Sequence, residues 1–428
     1  MTSIEEIMKF YKNEESMEDG KELKMQPRIG LANIGNTCFL NVILQGLRMS
    51  PPIIQTLLAD PKHTPAIRKA SKKGKLLAAF QSLITTMMIA KPASMAEDAT
   101  PTVIPRMFFD TFRQTLRECD DDWYRGGEQA DASECCRYFL DMIHDSLYRT
   151  VNMSIVPGKG GETEIEKSQT RALETWVRFF SKEYSPIVSN FYGQTRSVTK
   201  CTGCNNEIEV FEPWMNMECS IPGSDKAGTP VPNMDMCLAH NFAAENIDEY
   251  NCEKCKSKQK AIRTHAISKT PNTLIITLKR FTNFGAKVRG RVDWDLNNVD
   301  LSRLLAFSSP FGDGEPQYET YSVVEHHGSM VGGHYIMYGR GVDDMWYEYD
   351  DSRVKRVPID YVISADSYII FMTRKGTYNT FVKDELQTII QNVQTVFSEE
   401  KKVVSETTKV VDEKKSEDDV TVKVIKTE

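Results

Sequence analysis

The hydrophobic period of this chain changes near residue 190, and that change limits the folds open to it. From Cys38 to about Tyr148 the segments "LNVILQGL", "PPIIQTLLAD", "GKLLAAFQSLITTMM" and "DASECCRYFLDMIHDSLY" carry apolar residues three and four apart, the spacing of a helix face. From about Asn190 the runs "FYGQTRSVTK", "EIEVFEPWMNMEC", "TLIITLKRF", "TYSVVEHHG", "HYIMYGR", "MWYEYDD" and "SYIIFMTRK" cluster β-branched and aromatic residues between turn signals. Helices first and strands second predict an α+β fold, not alternating βαβ units. No repeat of fixed period is visible. The breakers "KPASMAEDATPT" and "RGGEQ" separate the helices, and "PGKGGETEIEKSQ" reads as a flexible surface loop.

Both ends differ from this body. Residues 1–29 are charged, with a short apolar pattern, and read as a leader. Over 376–397, "FVKDELQTIIQNVQTVF" sets Val382, Leu386, Ile389, Ile390, Val393, Val396 and Phe397 on one face, predicting an amphipathic helix that docks on the core or on a regulator. Residues 398–428 are mostly Lys, Glu, Asp, Ser, Thr and Val and are expected to be disordered.

Charge and cysteines narrow the function classes. A formal net charge of -7 opposes a general nucleic-acid binder and suits a basic partner. The N-terminus lacks the basic start and apolar run of a secretory signal, and the run from Leu76 is too short and too interrupted to span a bilayer, which takes roughly 20 apolar residues. An intracellular setting, cytoplasmic or nuclear, is expected. There the ten cysteines stay reduced and must act as core thiols, metal ligands or nucleophiles.

Four of them form two CxxC pairs, Cys201/Cys204 and Cys252/Cys255, with 47 residues between. Two such pairs in a β-rich stretch can supply four thiolates to one tetrahedral, structural Zn²⁺. Four ordinary thiols, or a ligand set drawing on Cys219, Cys237, His240 or His265, are the alternatives. Cys38 follows the cap residues Asn36 and Thr37 and should open a helix, where the dipole and unpaired N–H groups lower a thiol pKa. A buried structural thiol is the plainer reading. A nucleophile would need a base and an orienter. His334 follows two glycines at the head of a strand, and Asp350 and Asp351 end the next one, so a carboxylate can meet the far ring nitrogen. A surface histidine in a glycine turn is the alternative.

Together these segments resemble the ubiquitin-specific proteases. "GLANIGNTCFLNVILQGL" is similar to their cysteine box, and "YSVVEHHGSMVGGHYIMYGR" with "WYEYDD" to their histidine box. "GEQADASECCRYFLDMIH" is similar to their Gln/Asp/Ala/Glu segment and "PNTLIITLKRF" to their central strand. Departures are minor: Cys135 and Cys136 where aromatic and leucine residues are usual, and Val42 where serine is common. The resemblance covers Gly30 to Lys375. It implies a papain-like fold with a helical thumb over about 30–150, zinc-tipped β fingers over about 190–265 and a β palm over about 266–375. It makes Cys38 the nucleophile, His334 the base, Asp350 the orienter and Asn33 the oxyanion donor. Asp131, Glu134, Gln129, His326 and Asp351 fall at substrate-side positions, the first two near the channel for ubiquitin's basic tail. The implied activity is hydrolysis after ubiquitin's terminal glycine. A peptidase for another ubiquitin-like modifier and a non-catalytic ubiquitin-binding scaffold are the rivals.

Overall fold

The computed structural model describes residues 28–58, 72–89, 101–155, 163–223, 232–281, 286–329, 332–386, 388–389, 391–392 and 395. The leader before Arg28, the tail 398–428 and the helix-face residues Ile390, Val393, Val396 and Phe397 lie outside them.

The first half is helical. Its elements are α1 (Cys38–Arg48), α2 (Pro51–Leu58), α3 (Lys72–Ile89), α4 (Arg106–Glu118), α5 (Ala132–Leu147), α6 (Glu164–Phe180) and α7 (Pro186–Phe191). The short strands β1 (Gly30–Leu31) and β2 (Thr102–Val103) pair in parallel. All eleven residues of α1 are buried, so it is the axis of this half and not a surface helix. Aromatic rings fill the space around it. Phe39 meets Tyr124 edge-on at 5.2 Å and Phe112 stacks on Phe139 at 5.5 Å, tying α1, α4 and α5 into one core.

One expectation fails here. Within "PGKGGETEIEKSQ", the residues from Glu164 onward are helical, not loop. Thr163 Oγ1 accepts from Glu166 N–H at 3.2 Å, and the Glu166 carboxylate accepts from Thr163 N–H at 2.7 Å. This capping box satisfies two end donors and launches α6, which then buries Ala172, Trp176 and Phe180. A polar first turn hid the helix.

The second half holds two sheets. The strands β3 (Gly193–Cys201), β4 (Glu207–Trp214), β5 (Met217–Ser220), β6 (Glu245–Cys252), β7 (Ser257–Lys269) and β8 (Thr273–Lys279) come first, with α8 (Met234–Asn241) among them. Then follow β9 (Val299–Asp300), β10 (Gln317–Ser329), β11 (Gly332–Arg340), β12 (Trp346–Asp350), β13 (Arg353–Val357) and β14 (Ser367–Arg374). A four-stranded sheet runs β4-β3-β7-β6 and carries both CxxC pairs at one end. The larger sheet runs β13-β12-β11-β10-β14-β8-β5, with β9 beside β10. Its interior strand β8 reads "TLIITL" because both faces are covered, one by the helical core and one by a second apolar cluster around Leu274, Ile276 and Ile370.

After β14 the chain turns at Gly376 and enters α9 (Thr377–Thr380), which widens into a π-helical turn over Phe381–Leu386. Tyr378, Phe381, Leu386 and Ile389 are buried in the same core as α1, and Gln55 on α2 donates to Glu385 at 2.6 Å. The start of the amphipathic segment therefore docks on its own chain. Among the described residues no helix is long and apolar enough to cross a membrane. If this docking stabilises the fold, Phe381→Ala should lower unfolding free energy by about 3 kcal/mol, the usual cost of emptying a buried phenylalanine site. Urea denaturation checks this, and an unchanged midpoint would mean that the segment is not part of the core.

Candidate functional site

Cys38 begins α1 at the end of a loop whose shape the sequence dictates. Gly35 (φ +118°) and Asn36 (φ 53°) both take left-handed backbone, which glycine and asparagine tolerate best. The Asn33 side chain braces this loop from within: its Oδ1 accepts from the N–H of Gly35 at 3.1 Å and of Thr37 at 3.2 Å. The Thr37 hydroxyl accepts from Ile34 N–H at 3.1 Å and caps no N–H of α1, so the first-turn donors around Cys38 carry no side-chain cap.

Cys38 itself is only 3% exposed. Burial pushes its thiol pKa above the ordinary value; the backbone N–H of Tyr335 pulls the other way, and the negative charge of Asp351 adds to the rise. The lowered pKa expected from the helix N-terminus is thus not found, because desolvation outweighs the helix end. The same contact with Tyr335 brings the thiol against β11, one residue past His334.

His334 and its partner come from neighbouring strands. His334 stands near the head of β11, and Asp350 ends β12, which pairs with β11 from Met337 onward. His334 Nε2 lies 2.7 Å from Asp350 Oδ1. Burial raises the Asp350 pKa, but the hydrogen bonds and charges of His334 and of Arg353 (Nη2 to Oδ2, 2.8 Å) outweigh it and hold the carboxyl below its usual range. An ionised carboxylate only accepts, so Nε2 carries the proton and Nδ1 is the basic nitrogen. In this structure no hydrogen bond joins Cys38 to His334.

Asp351 follows with φ 51° in the tight turn between β12 and β13. Its Oδ2 accepts from Asn33 Nδ2 at 2.9 Å, its Oδ1 from Asn41 Nδ2 at 2.8 Å, and its carbonyl from Leu31 N–H at 2.9 Å. Placed among substrate-side residues by resemblance, Asp351 is here the joint between the Cys38 segment and the β12–β13 turn. Asn41 was not singled out in the sequence, since an asparagine inside an apolar helix gives no sign of what it will meet.

The remaining positions lie at the start of α5, on the loop before it and on β10. Asp131 caps α5: its Oδ1 accepts from Ser133 N–H at 2.8 Å and Glu134 N–H at 3.0 Å, and its Oδ2 accepts from the Tyr368 hydroxyl at 2.7 Å. Glu134 is half-buried and lies 3.8 Å from Arg137. Gln129 is exposed and reaches across to β11, where its amide pairs both backbone groups of Gly333. His326 is buried, 4% exposed, its ring 4.6 Å from that of Tyr335. Desolvation first, then the nearby Lys287, lowers its pKa to about 4, so it is neutral near pH 7; its strand pairs it with Tyr335, beside His334.

The four cysteines of the CxxC pairs converge at the tip of the small sheet. Cys201 Sγ lies 3.9 Å from Cys255 Sγ, Cys204 Sγ lies 3.6 Å from Cys252 Sγ, and all four sulfurs are within 4.8 Å of one another. Each pair turns in the same way. Asn205 N–H donates to Cys201 C=O at 2.9 Å and Lys256 N–H to Cys252 C=O at 2.8 Å, with Asn205 and Lys256 both left-handed. This cluster can hold a metal ion.

Comparison with known proteins identifies the family and the fold. The ubiquitin carboxyl-terminal hydrolase family profile matches residues 29–372. Ubiquitin carboxyl-terminal hydrolase Usp2 of Drosophila melanogaster is 28% identical over 373 residues, 85% of this chain and 36% of that protein. Ubiquitin carboxyl-terminal hydrolase 21 of Mus musculus is 26% identical over 363 residues, 80% of this chain and 61% of that protein. The chain thus spans about a third to three fifths of the length of these two relatives. Among solved structures, a chain of the SAGA DUB module bound to monoubiquitin superposes with a TM-score of 0.61 at 20% identity, over 87% of this chain and 75% of that one. The fold is that of these enzymes, and the chain belongs to the ubiquitin carboxyl-terminal hydrolase family.

Proposed function

We propose that this chain is a cysteine-type deubiquitinase that hydrolyses the isopeptide or peptide bond after the terminal glycine of ubiquitin. The observation that carries the reading is the catalytic geometry: a cysteine at a helix N-terminus touches the residue after His334, whose far nitrogen is held by an ionised Asp350. His334 Nδ1 takes the Cys38 proton, and the thiolate attacks the carbonyl carbon. The Cys38 N–H and the Asn33 amide, which has one N–H left beyond its bond to Asp351, stabilise the oxyanion. Protonated His334 gives its proton to the departing amine, leaving a thioester. Water deprotonated by His334 then releases the ubiquitin carboxylate and restores the thiol.

The same reading gives the other residues their work. Glu134 and Asp131 supply negative charge near the basic ubiquitin tail, and the acidic net charge favours that partner. The four-cysteine cluster is proposed to hold a structural Zn²⁺. Tetrahedral bonds of ~2.3 Å separate sulfurs by about 3.8 Å, and the observed 3.6 and 3.9 Å fit that separation. Four protein ligands would leave no open position, so the ion would fix the sheet tip and take no part in the chemistry. A cytoplasmic or nuclear setting is proposed with it, supported by ten cysteines none of which is in a disulfide. A regulator docking on the C-terminal helix would meet a helix whose Phe381, Leu386 and Ile389 are already buried in the chain's own core.

The test is turnover of linkage-defined ubiquitin chains by the purified protein, beside conjugates of other ubiquitin-like modifiers. Cys38→Ala should abolish cleavage and keep ubiquitin binding. Asn33→Ala should lower kcat about 10²-fold. Faster cleavage of another modifier would move the substrate class, and binding without any cleavage would make the chain a scaffold. For the metal, one equivalent of zinc per chain is expected. Cys204→Ser should lose that zinc and cleave ubiquitin poorly, while Cys38 still reacts with a small alkylator. Zinc-free protein with full activity would overturn the structural metal.

A further inference from the structure

The strand that carries His334 has an open edge, and Gln129 fills it. β11 pairs with β10 from Gly332 onward, but with β12 only from Met337. On the β12 side, no described strand pairs with Gly333 to Ile336. Backbone groups alternate sides along an antiparallel strand, so Gly333 and Tyr335 face the same way. Tyr335 N–H is the group that meets the Cys38 thiol. An extended peptide added along this edge would therefore run toward the nucleophile.

In this structure the place of such a peptide at Gly333 is taken by a side chain. Gly333 N–H donates to Gln129 Oε1 at 2.8 Å, and Gln129 Nε2 donates to Gly333 C=O at 2.7 Å. A primary amide offers one donor and one acceptor side by side, the pair that a peptide on a neighbouring strand would offer. The other side of Gly333 is closed. A Cβ there would sit 2.3 Å from His327 O and 2.5 Å from His326 Nε2, so Gly333 lies pressed against β10. Gln129 is exposed and follows Gly126 (φ +101°) and Gly127 (φ +97°), which give its loop backbone freedom. Asn36 Nδ2 donates to Gly127 O at 2.8 Å, so the same loop is tied to the nucleophile loop. With Cys38 3% exposed, the walls must part before a carbonyl reaches the sulfur.

We propose that Gln129 is a displaceable placeholder: its amide closes the cleft on Gly333 in the empty protein, and the extended segment bearing the scissile bond takes over those two hydrogen bonds by adding to the β11 edge. The proposal rests on the deubiquitinase reading, which makes that segment the C-terminal tail of ubiquitin. Gln129 then competes with substrate for Gly333 instead of gripping it. Part of the affinity is lost in opening the clasp.

The test uses the full chain with Cys38→Ala to prevent turnover, with and without Gln129→Ala. Each protein is titrated with ubiquitin and with ubiquitin lacking its last residues, and Gly333 amide exchange is followed without ligand. Gln129→Ala should tighten binding of intact ubiquitin about fivefold, the worth of two exposed hydrogen bonds. It should leave the shortened ubiquitin unchanged and speed exchange at Gly333. Weaker or equal binding of intact ubiquitin would overturn the placeholder. So would unchanged exchange at Gly333, whatever ubiquitin does. If no variant binds ubiquitin while Gly333 exchange still responds to Gln129→Ala, the clasp is real, but the deubiquitinase reading fails and the proposed competition fails with it.

Discussion

The site depends on one joint, the carboxylate of Asp351. The proposed nucleophile, Cys38, and its proposed base, His334, come from distant parts of the sequence, and the Asn33–Asp351 hydrogen bond spans 318 residues. Asp351 binds the segment from Leu31 to Asn41 at three points, through both carboxylate oxygens and its carbonyl. Hydrogen bonds to a charged acceptor contribute about 1.5–3 kcal/mol each, more than neutral ones. The left-handed backbone of Asp351 turns the chain back so that Asp350 and Asp351 serve different partners. Asp350 faces His334, and Asp351 faces the loop before Cys38.

That joint has an electrostatic consequence. The negative charge that anchors Asn33 also disfavours a Cys38 thiolate, and burial disfavours it more. The empty site therefore holds a protonated thiol, which limits oxidation of an idle cysteine. In the proposed mechanism, thiolate formation is offset by the imidazolium that forms when His334 takes the proton, a pair whose attraction is stronger in a site cleared of water. The proposed Gln129 clasp and the burial of Cys38 belong to the same unliganded structure. Substrate entry would change both.

Much of this was legible in the sequence. The switch of period marks helices before strands, and the CxxC pairs meet at one sheet tip, because both signals rest on short-range rules. Glycines before His334 and paired acids after the next strand gave the His334–Asp350 contact, since neighbouring strands fix that distance. Other features were not legible. Thr163 and Glu166 carry a capping box, but its polar first turn resembles the loop before it. The pKa of Cys38 depends on how deeply α1 is buried, which no local pattern reports. Asp131 as an N-cap could have been read from Asp-Ala-Ser-Glu, whereas the Gln129–Gly333 clasp joins residues 204 apart and has no local sign.

The central claim is that Cys38 attacks the ubiquitin C-terminus, and the direct measurement is covalent capture. Ubiquitin bearing an electrophile in place of its terminal glycine should add once to the wild-type chain. Peptide mapping should place the adduct on Cys38. Prior alkylation of Cys38, or Cys38→Ala, should prevent it. An adduct on another cysteine, such as the partly exposed Cys119, or no adduct on the folded wild-type chain, would contradict the account.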